Sequence, residues 1–482
     1  MADPRSFDVL DQPVTALAAA LRDGRVTAPA LVEAHIARLD AINPLVNALT
    51  ARRFDAARAE AQAAQAALEA GEAKPLTGIP CTIKEFFGVT GMPWTGGLVR
   101  RRDVTAPEDA TAVARLRAAG AIVLATTNAP EGGLWMETYN DLYGRTSNPW
   151  DLRRTPGGSS GGEGAVVAAG GSAFGLGSDV GGSIRIPAAF CGTFGHKPSA
   201  LTVPNTGHFP PSEAGTDAFL CAGPLTRSAD DLALLMEILA GPDGRSGALH
   251  GFTRATPRDD LRGVRVIAME TNGRVSVRKS LRGAVRASAE ALVARGATLD
   301  DRPLPGLARG LEIWTAMLSD GASSHYDEIL TGGGDLPVLR ELLKLPFGRS
   351  QHTFAALALT AADQLTRPMS GSMERFVAEG RALQAALDDA LGNDGVLLHP
   401  PYSRPAPRHR DSWRTATDAQ YTAIFNVMGS PVTIAPVGFD PRRLPLAVQV
   451  VGARGQDALT IEVARHLEQS MGGWTRAEPA RR

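Results

Sequence analysis

Apolar positions recur along this chain at two spacings, and the two alternate in blocks. Helical spacing comes first. Residues 14–22 form a short amphipathic stretch closed by Asp23-Gly24. Thr27 can cap a second helix with Pro29 in its first turn. Val32, Ile36 and Leu39 give that helix its inner face, and it is expected to run out near Asn43-Pro44. Residues 51–70 are alanine-rich and stop at Gly71. Short apolar runs then begin to intervene. Residues 79–83 predict a buried strand, 109–119 a helix with Val113 and Leu116 inward, and 121–125 a second strand. The alternation resumes further on, with strands at 264–268, 297–299, 396–398, 432–434 and 447–451. Helices are predicted at 280–295, 372–391, 418–428 and 458–469, and more irregularly over 306–367. Ser228 caps a helix whose inner face is Leu232, Leu235, Met236 and Leu239, with Asp231 in a capping-box position. The tail after Gly472 is expected to fray. Helices alternating with buried strands predict an α/β fold with helices on the sheet faces.

Two stretches break the pattern. Residues 126–149 make a long irregular segment, which in a compact fold usually serves function. The second is 154–198, where Gly157-Gly158-Ser159 and Gly181-Gly182-Ser183 flank a small-residue segment. The segment predicts a helix over 161–170 and a strand over 172–179. So many glycines cost conformational entropy, so the backbone needs shapes only glycine allows or must approach something closely. A serine behind two glycines can sit in a tight turn whose N–H groups converge on an oxyanion. Ser183 is therefore the candidate nucleophile, with donors from Val180, Gly181, Gly182 and Ser183. The nearby histidine, His196, lies in the FGHKP turn with no acid paired to it. Lys84, at the end of the 79–83 strand, is the better base, because loss of hydration lets a buried lysine stay neutral. Asp179 and Arg185 flank Ser183 and are expected to brace the turn as an ion pair. Cys191 lacks a partnering base and reads as a small buried hydrophobe, and His399 as structural.

The runs GGSSGGEG and SDVGGSIRIP, with Lys84 in TIKEFFGVTG, resemble the amidase signature family. The separations of 75 residues between Lys84 and Ser159 and 24 between Ser159 and Ser183 are those of its fatty acid amide hydrolase branch. The resemblance implies a Ser–cisSer–Lys triad. In it Ser183 attacks the carbonyl, and Ser159, on a cis Gly158–Ser159 peptide, relays the proton to Lys84. It implies a single α/β/α domain with a large mixed, mostly parallel sheet covered by helices. Residues 1–75 would be a helical scaffold, 76–243 the signature core, and 244–482 the remainder, with a variable substrate-side cap over about 306–367. In the family the segment matching 126–149 lines the pocket or packs under it, and the candidate lining residues here are Met136, Glu137 and Tyr139, with Gly158 beside them. Amidotransferase-type members carry a small residue where this chain has Glu163.

Composition narrows the partners. The chain has 482 residues and a formal net charge of −1, which disfavours nucleic acid. No apolar run reaches the roughly 18 residues a membrane span requires. The polar, acidic start does not read as a secretory leader. Three dispersed cysteines, Cys81, Cys191 and Cys221, argue against disulfides and zinc and for a cytoplasmic setting. The expected protein is a monomeric or homodimeric hydrolase of small amides, esters and carbamates that uses no cofactor and no metal. Two other readings compete: the A subunit of a glutamine amidotransferase, and a non-catalytic binding protein on the same fold.

Overall fold

The computed structural model describes residues 8–302, 304, 306–322, 325–366 and 370–480. The start of the chain, residues 1–7, and Arg367 at the end of the expected cap lie outside that set. Among the described residues thirteen strands are formed: β1 (Leu49–Arg52), β2 (Pro80–Lys84), β3 (Ile122–Thr127), β4 (Tyr139–Asn140), β5 (Gly144–Arg145), β6 (Phe174–Asp179), β7 (Phe194–Lys197), β8 (Cys221–Thr226), β9 (Arg265–Ala268), β10 (Thr298–Leu299), β11 (Gly395–His399), β12 (Val432–Phe439) and β13 (Pro445–Gly452). Strands β4 and β5 make a small hairpin. The other eleven form one mixed sheet in the order β1-β3-β2-β6-β8-β7-β12-β13-β11-β9-β10. Its parallel pairings lie on the two flanks, β3-β2-β6 and β11-β9-β10, and the pairings from β6 across to β11 are antiparallel.

Strand alternation makes the sheet the middle of three layers. Cys81, Ile83, Phe174, Leu176, Val396, Leu398, Val448 and Val450 share one apolar core with helices Val14–Arg22, Ala229–Leu239, Lys279–Ala294 and Asp457–Met471. On the other face, Leu397, Val432 and Val451 pack against helices Gly310–Gly321, Ser370–Leu391 and Gln420–Val427. Ile122 and Leu124 pack against helices Ala28–Val46, Phe54–Glu69 and Gly161–Ala168. In β2 the same alternation sends Cys81 and Ile83 into the first core. Thr82 and Lys84 therefore face the helix that follows the first Gly-Gly-Ser knot. Among the described residues no helix is long and apolar enough to cross a membrane.

Several expectations are revised. The helix with Thr27 as its cap continues through Pro44 to Val46, and the Asn43 carboxamide takes over the Ala48 and Leu49 N–H groups just beyond its end. Residues 51–52, read as the start of a helix, instead end an edge strand, 49–52, that pairs with β3. Residues 194–197, read as a turn, form a central strand, as do residues 221–226, because glycine and proline within them obscured the apolar signal. Helix Arg185–Cys191 was hidden by its Pro187. The tail does not fray at Gly472: Ala477 is fully buried and its N–H donates to Ala168.

Asp231 does not close a capping box on its own helix. Its carboxylate accepts the Val14 and Thr15 N–H groups at 2.8 and 3.0 Å and so caps the helix Val14–Arg22 from across the core. Replacing it, Asp231→Ala, is expected to lower stability by about 1–2 kcal/mol, read from the urea midpoint, and to leave the specific activity of the folded protein unchanged.

Candidate active site

Lys84 ends β2 between β3 and β6 with its side chain fully buried. Its Nζ is 2.6 Å from Ser159 Oγ and 2.9 Å from Ser178 Oγ, and lies 4.5 Å from the centre of the Phe86 ring. Burial lowers its pKa from 10.5 to about 7, with Asp179 and Glu163 pulling the other way. Neither carboxylate touches the amine. Among the described residues its hydrogen-bonding neighbours are Ser159 and Ser178. Glu163 is occupied instead by the Thr82 and Thr127 hydroxyls, which donate to it at 2.6 and 2.7 Å. Burial still pushes its carboxyl up to about 8. Its place is cut out by Gly175, where any Cβ would stand 1.9 Å from Glu163 Oε2.

Ser159 sits in the first glycine knot, after a cis Gly158–Ser159 bond, and is 3% exposed. The next residue ties this knot to the second: the Ser160 N–H donates to the Ser183 carbonyl at 3.1 Å, and its hydroxyl to the Ser178 carbonyl at 3.2 Å. Helix Gly161–Ala168 begins there.

The second knot is held by charge. Asp179 and Arg185 are both fully buried and paired through two bonds of 2.8 and 2.9 Å, the expected brace. Burial alone would raise the Asp179 carboxyl, but the Arg185 guanidinium beside it holds it well below the usual carboxylate range. The carboxylate also accepts the Gly182 and Ile184 N–H groups at 2.7 and 3.0 Å. Arg185 reaches on to the Thr422 carbonyl at 2.7 Å and Asn426 Oδ1 at 2.5 Å. Gly182 has φ +124°, and a Cβ there would lie 2.2 Å from Thr422 Oγ1, so both conformation and space demand glycine.

These bonds revise the expected oxyanion donors. The Gly182 N–H is spent on Asp179, which leaves the amides of Val180, Gly181 and Ser183 as candidates. Trp314 Nε1 donates to the Val180 carbonyl at 2.9 Å, and Thr422 Oγ1 donates to the Gly181 carbonyl at 2.8 Å. In a trans peptide the N–H points opposite the carbonyl, so Trp314's grip on Val180 aims the Gly181 N–H away from Trp314. Ser183 itself is half-buried, more open than Ser159 or Lys84.

The expected lining residues separate. Met136 and Tyr139 are half-buried. Gly158 is buried against the backbone of Trp135 and Met136. Glu137 is 1% exposed, and its carboxylate accepts the Arg410 N–H and the Ser412 hydroxyl, both at 2.9 Å, with His409 Nδ1 at 3.2 Å. It holds the 409–412 strap rather than an open pocket wall. His399 and His196 are structural: His399 bonds the Met269 carbonyl, and His196 lies in β7 between Thr433 and Asp457. Cys191 is buried, and burial pushes its thiol above the usual range. Sequence reasoning missed Ser178, His208 and Thr422, and placed Trp314 in the substrate-side cap without its contact to the second knot. Ser178 carried a usable signal, a polar position two residues from Leu176 on the same strand face. The others converge from 30 to 240 residues away and have no local signature.

The amidase family profile matches residues 30–461. The chain belongs to the amidase family. Fatty-acid amide hydrolase 2-B of Danio rerio is 39% identical, over 98% of this chain and 91% of that protein. The A subunit of the glutamyl-tRNA(Gln) amidotransferase of Deinococcus radiodurans is 33% identical, over 95% of this chain and 97% of its own. Among solved structures, 6-aminohexanoate cyclic dimer hydrolase complexed with substrate superposes with a TM-score of 0.78 at 26% identity, covering 96% of this chain and 98% of that one. Membership makes this amidase a hydrolase of amide carbon–nitrogen bonds.

The buried brace gives a stability test. Arg185→Met leaves the Asp179 carboxylate uncompensated and is expected to cost about 3–5 kcal/mol, read from the denaturant midpoint. A loss below about 1 kcal/mol would mean that Asp179 does not depend on that guanidinium.

Proposed function

We propose that this amidase cleaves carboxamides through an acyl-enzyme on Ser183. Neutral Lys84 takes the Ser159 proton while Ser159 takes the proton of Ser183, whose Oγ attacks the substrate carbonyl. The amides of Val180, Gly181 and Ser183 receive the developing oxyanion. The proton returns through Ser159 to the leaving amine, and water repeats the path to release the acid. The observation that carries this reading is the 2.6 Å contact between a fully buried amine and the Ser159 hydroxyl, with no carboxylate of the described residues bonded to that amine. Esters and carbamates develop the same oxyanion and belong in the same substrate range.

The groups beside the second knot suit an apolar acyl or aryl portion. The Trp314 ring lies 3.3 Å from where a Gly181 Cβ would be, and Met136 is half-buried near Ile186 and Phe190. A second reading, release of ammonia from glutamine within a complex, is favoured by the 33% identity to the A subunit of an amidotransferase. Hydrolysis of glutamine with no turnover of anilides would select it.

The test uses the purified protein, a panel of amides, anilides, esters and carbamates, and a fluorophosphonate label located by mass spectrometry. Label is expected on Ser183, and Ser183→Ala and Lys84→Met should each lower kcat by about a thousandfold or more. An ammonium has no lone pair, so wild-type activity should fall as pH drops below about 7, where Lys84 becomes protonated. Label on another residue, or Lys84→Met within about tenfold of wild type, would contradict the proposal.

A further inference from the structure

His208 lies in the loop after β7, outside the GGSSGGEG, SDVGGSIRIP and TIKEFFGVTG runs. It is buried, and its ring stands edge-on to Phe86 and Phe87, with centroids 5.8 and 5.0 Å away. Both phenylalanines lie within three residues of Lys84 in the chain. Its two ring nitrogens are both engaged: Nδ1 is 2.7 Å from the Pro210 carbonyl, and Nε2 is 2.8 Å from Ser178 Oγ. Ser178 Oγ is in turn 2.9 Å from Lys84 Nζ.

Hydrogen counting fixes the direction of every bond in this row. A carbonyl only accepts, so Nδ1 carries the ring hydrogen. Burial and the nearby Lys84 drive the His208 pKa down to about 3, so the ring is neutral and Nε2 has a lone pair. Ser178 must then donate its single hydrogen to Nε2, and its oxygen can only accept from Lys84. A neutral amine has two hydrogens and one lone pair. One hydrogen goes to Ser178 Oγ and the other faces the Ser178 carbonyl at 3.5 Å, which leaves the lone pair toward Ser159.

We propose that His208 is a positioning residue for amide hydrolysis, which by accepting the Ser178 hydroxyl hydrogen keeps Ser178 from donating to Lys84 and holds the amine's lone pair on Ser159. The inference rests on Lys84 being the base. In the step it serves, the Ser159 O–H bond breaks as an Nζ–H bond forms, and Ser159 regains a hydrogen from Ser183. Without His208, Ser178 would turn its hydrogen toward Lys84. That contact competes with Ser159 for the lone pair and favours the uncharged amine. The ionisable groups acting on Lys84 are Asp179 and Glu163, and Lys84 in turn acts on His208. The first two stay in place when His208 is changed.

The test is a double-mutant cycle on the full-length enzyme, read as kcat, KM and the acid limb of the pH profile with one anilide. His208→Phe is expected to lower kcat by about tenfold or more with KM little changed, and to move the acid limb to lower pH. Ser178→Ala removes an acceptor of the ammonium form, so its acid limb should also move to lower pH. In that background, adding His208→Phe should change kcat by no more than about twofold. His208→Gln, which keeps one donor and one acceptor, should restore the acid limb. Multiplying effects, or an unmoved limb in His208→Phe, would overturn the proposal. Should His208→Phe not fold, Ser178→Ala alone decides, and an unmoved limb overturns it. Lys84→Met separates the two ideas. If that variant keeps activity, the base assignment fails and His208 falls with it. If it is inactive while the cycle shows no coupling, His208 alone is wrong.

Discussion

Removing one amino group from water is the constraint on which this site depends. A lysine in solvent is an ammonium at neutral pH and has no lone pair to offer. Burial costs the charged form its hydration, and a carboxylate bonded to the amine would give that charge back. The fold meets both conditions at Lys84. It ends a strand flanked by two others, with a phenylalanine ring beside it, and its hydrogen-bonding neighbours are uncharged: two serine hydroxyls and the Ser178 carbonyl.

The charges that must lie nearby are handled one by one. Asp179 is committed to Arg185 and to two backbone amides, so it braces the turn at Ser183 without reaching the amine. Glu163 is held by two threonine hydroxyls across the space left by Gly175, and its raised pKa reduces its charge near neutrality. The two glycine knots are joined through Ser160, so Ser159 and Ser183 are fixed to a common frame. Trp314 and Thr422, from helices of the opposite layer, hold the carbonyls of the second knot and so set where its amides point.

What could be read from the sequence follows from how local each signal is. Lys84, Ser159 and Ser183 stood out because buried-strand periodicity and two glycine knots are short-range patterns. The buried strands with plain apolar runs, such as those read at 121–125 and 447–451, were equally visible. The strands at 194–197 and 221–226 were not, since Gly195, Gly223 and Pro224 dilute their hydrophobicity while the surrounding sheet supplies the burial. The Gly182 amide was misjudged because Asp179, three residues earlier, turns back to take it. Glu137 drew attention as a carboxylate in a candidate pocket segment, yet its partners lie more than 270 residues away. His208 was invisible for the same reason: only folding places its imidazole against Ser178.

The most direct measurement is the charge state of one amine. The chain's lysines are Lys74, Lys84, Lys197, Lys279 and Lys344, few enough to follow individually by NMR of lysine labelled at Cε. The Lys84 signal is identified by its loss in Lys84→Arg. A midpoint near pH 7, with the neutral amine present at physiological pH, is the expected result. A signal that stays in its ammonium position up to about pH 9 or beyond would contradict a neutral base at this site.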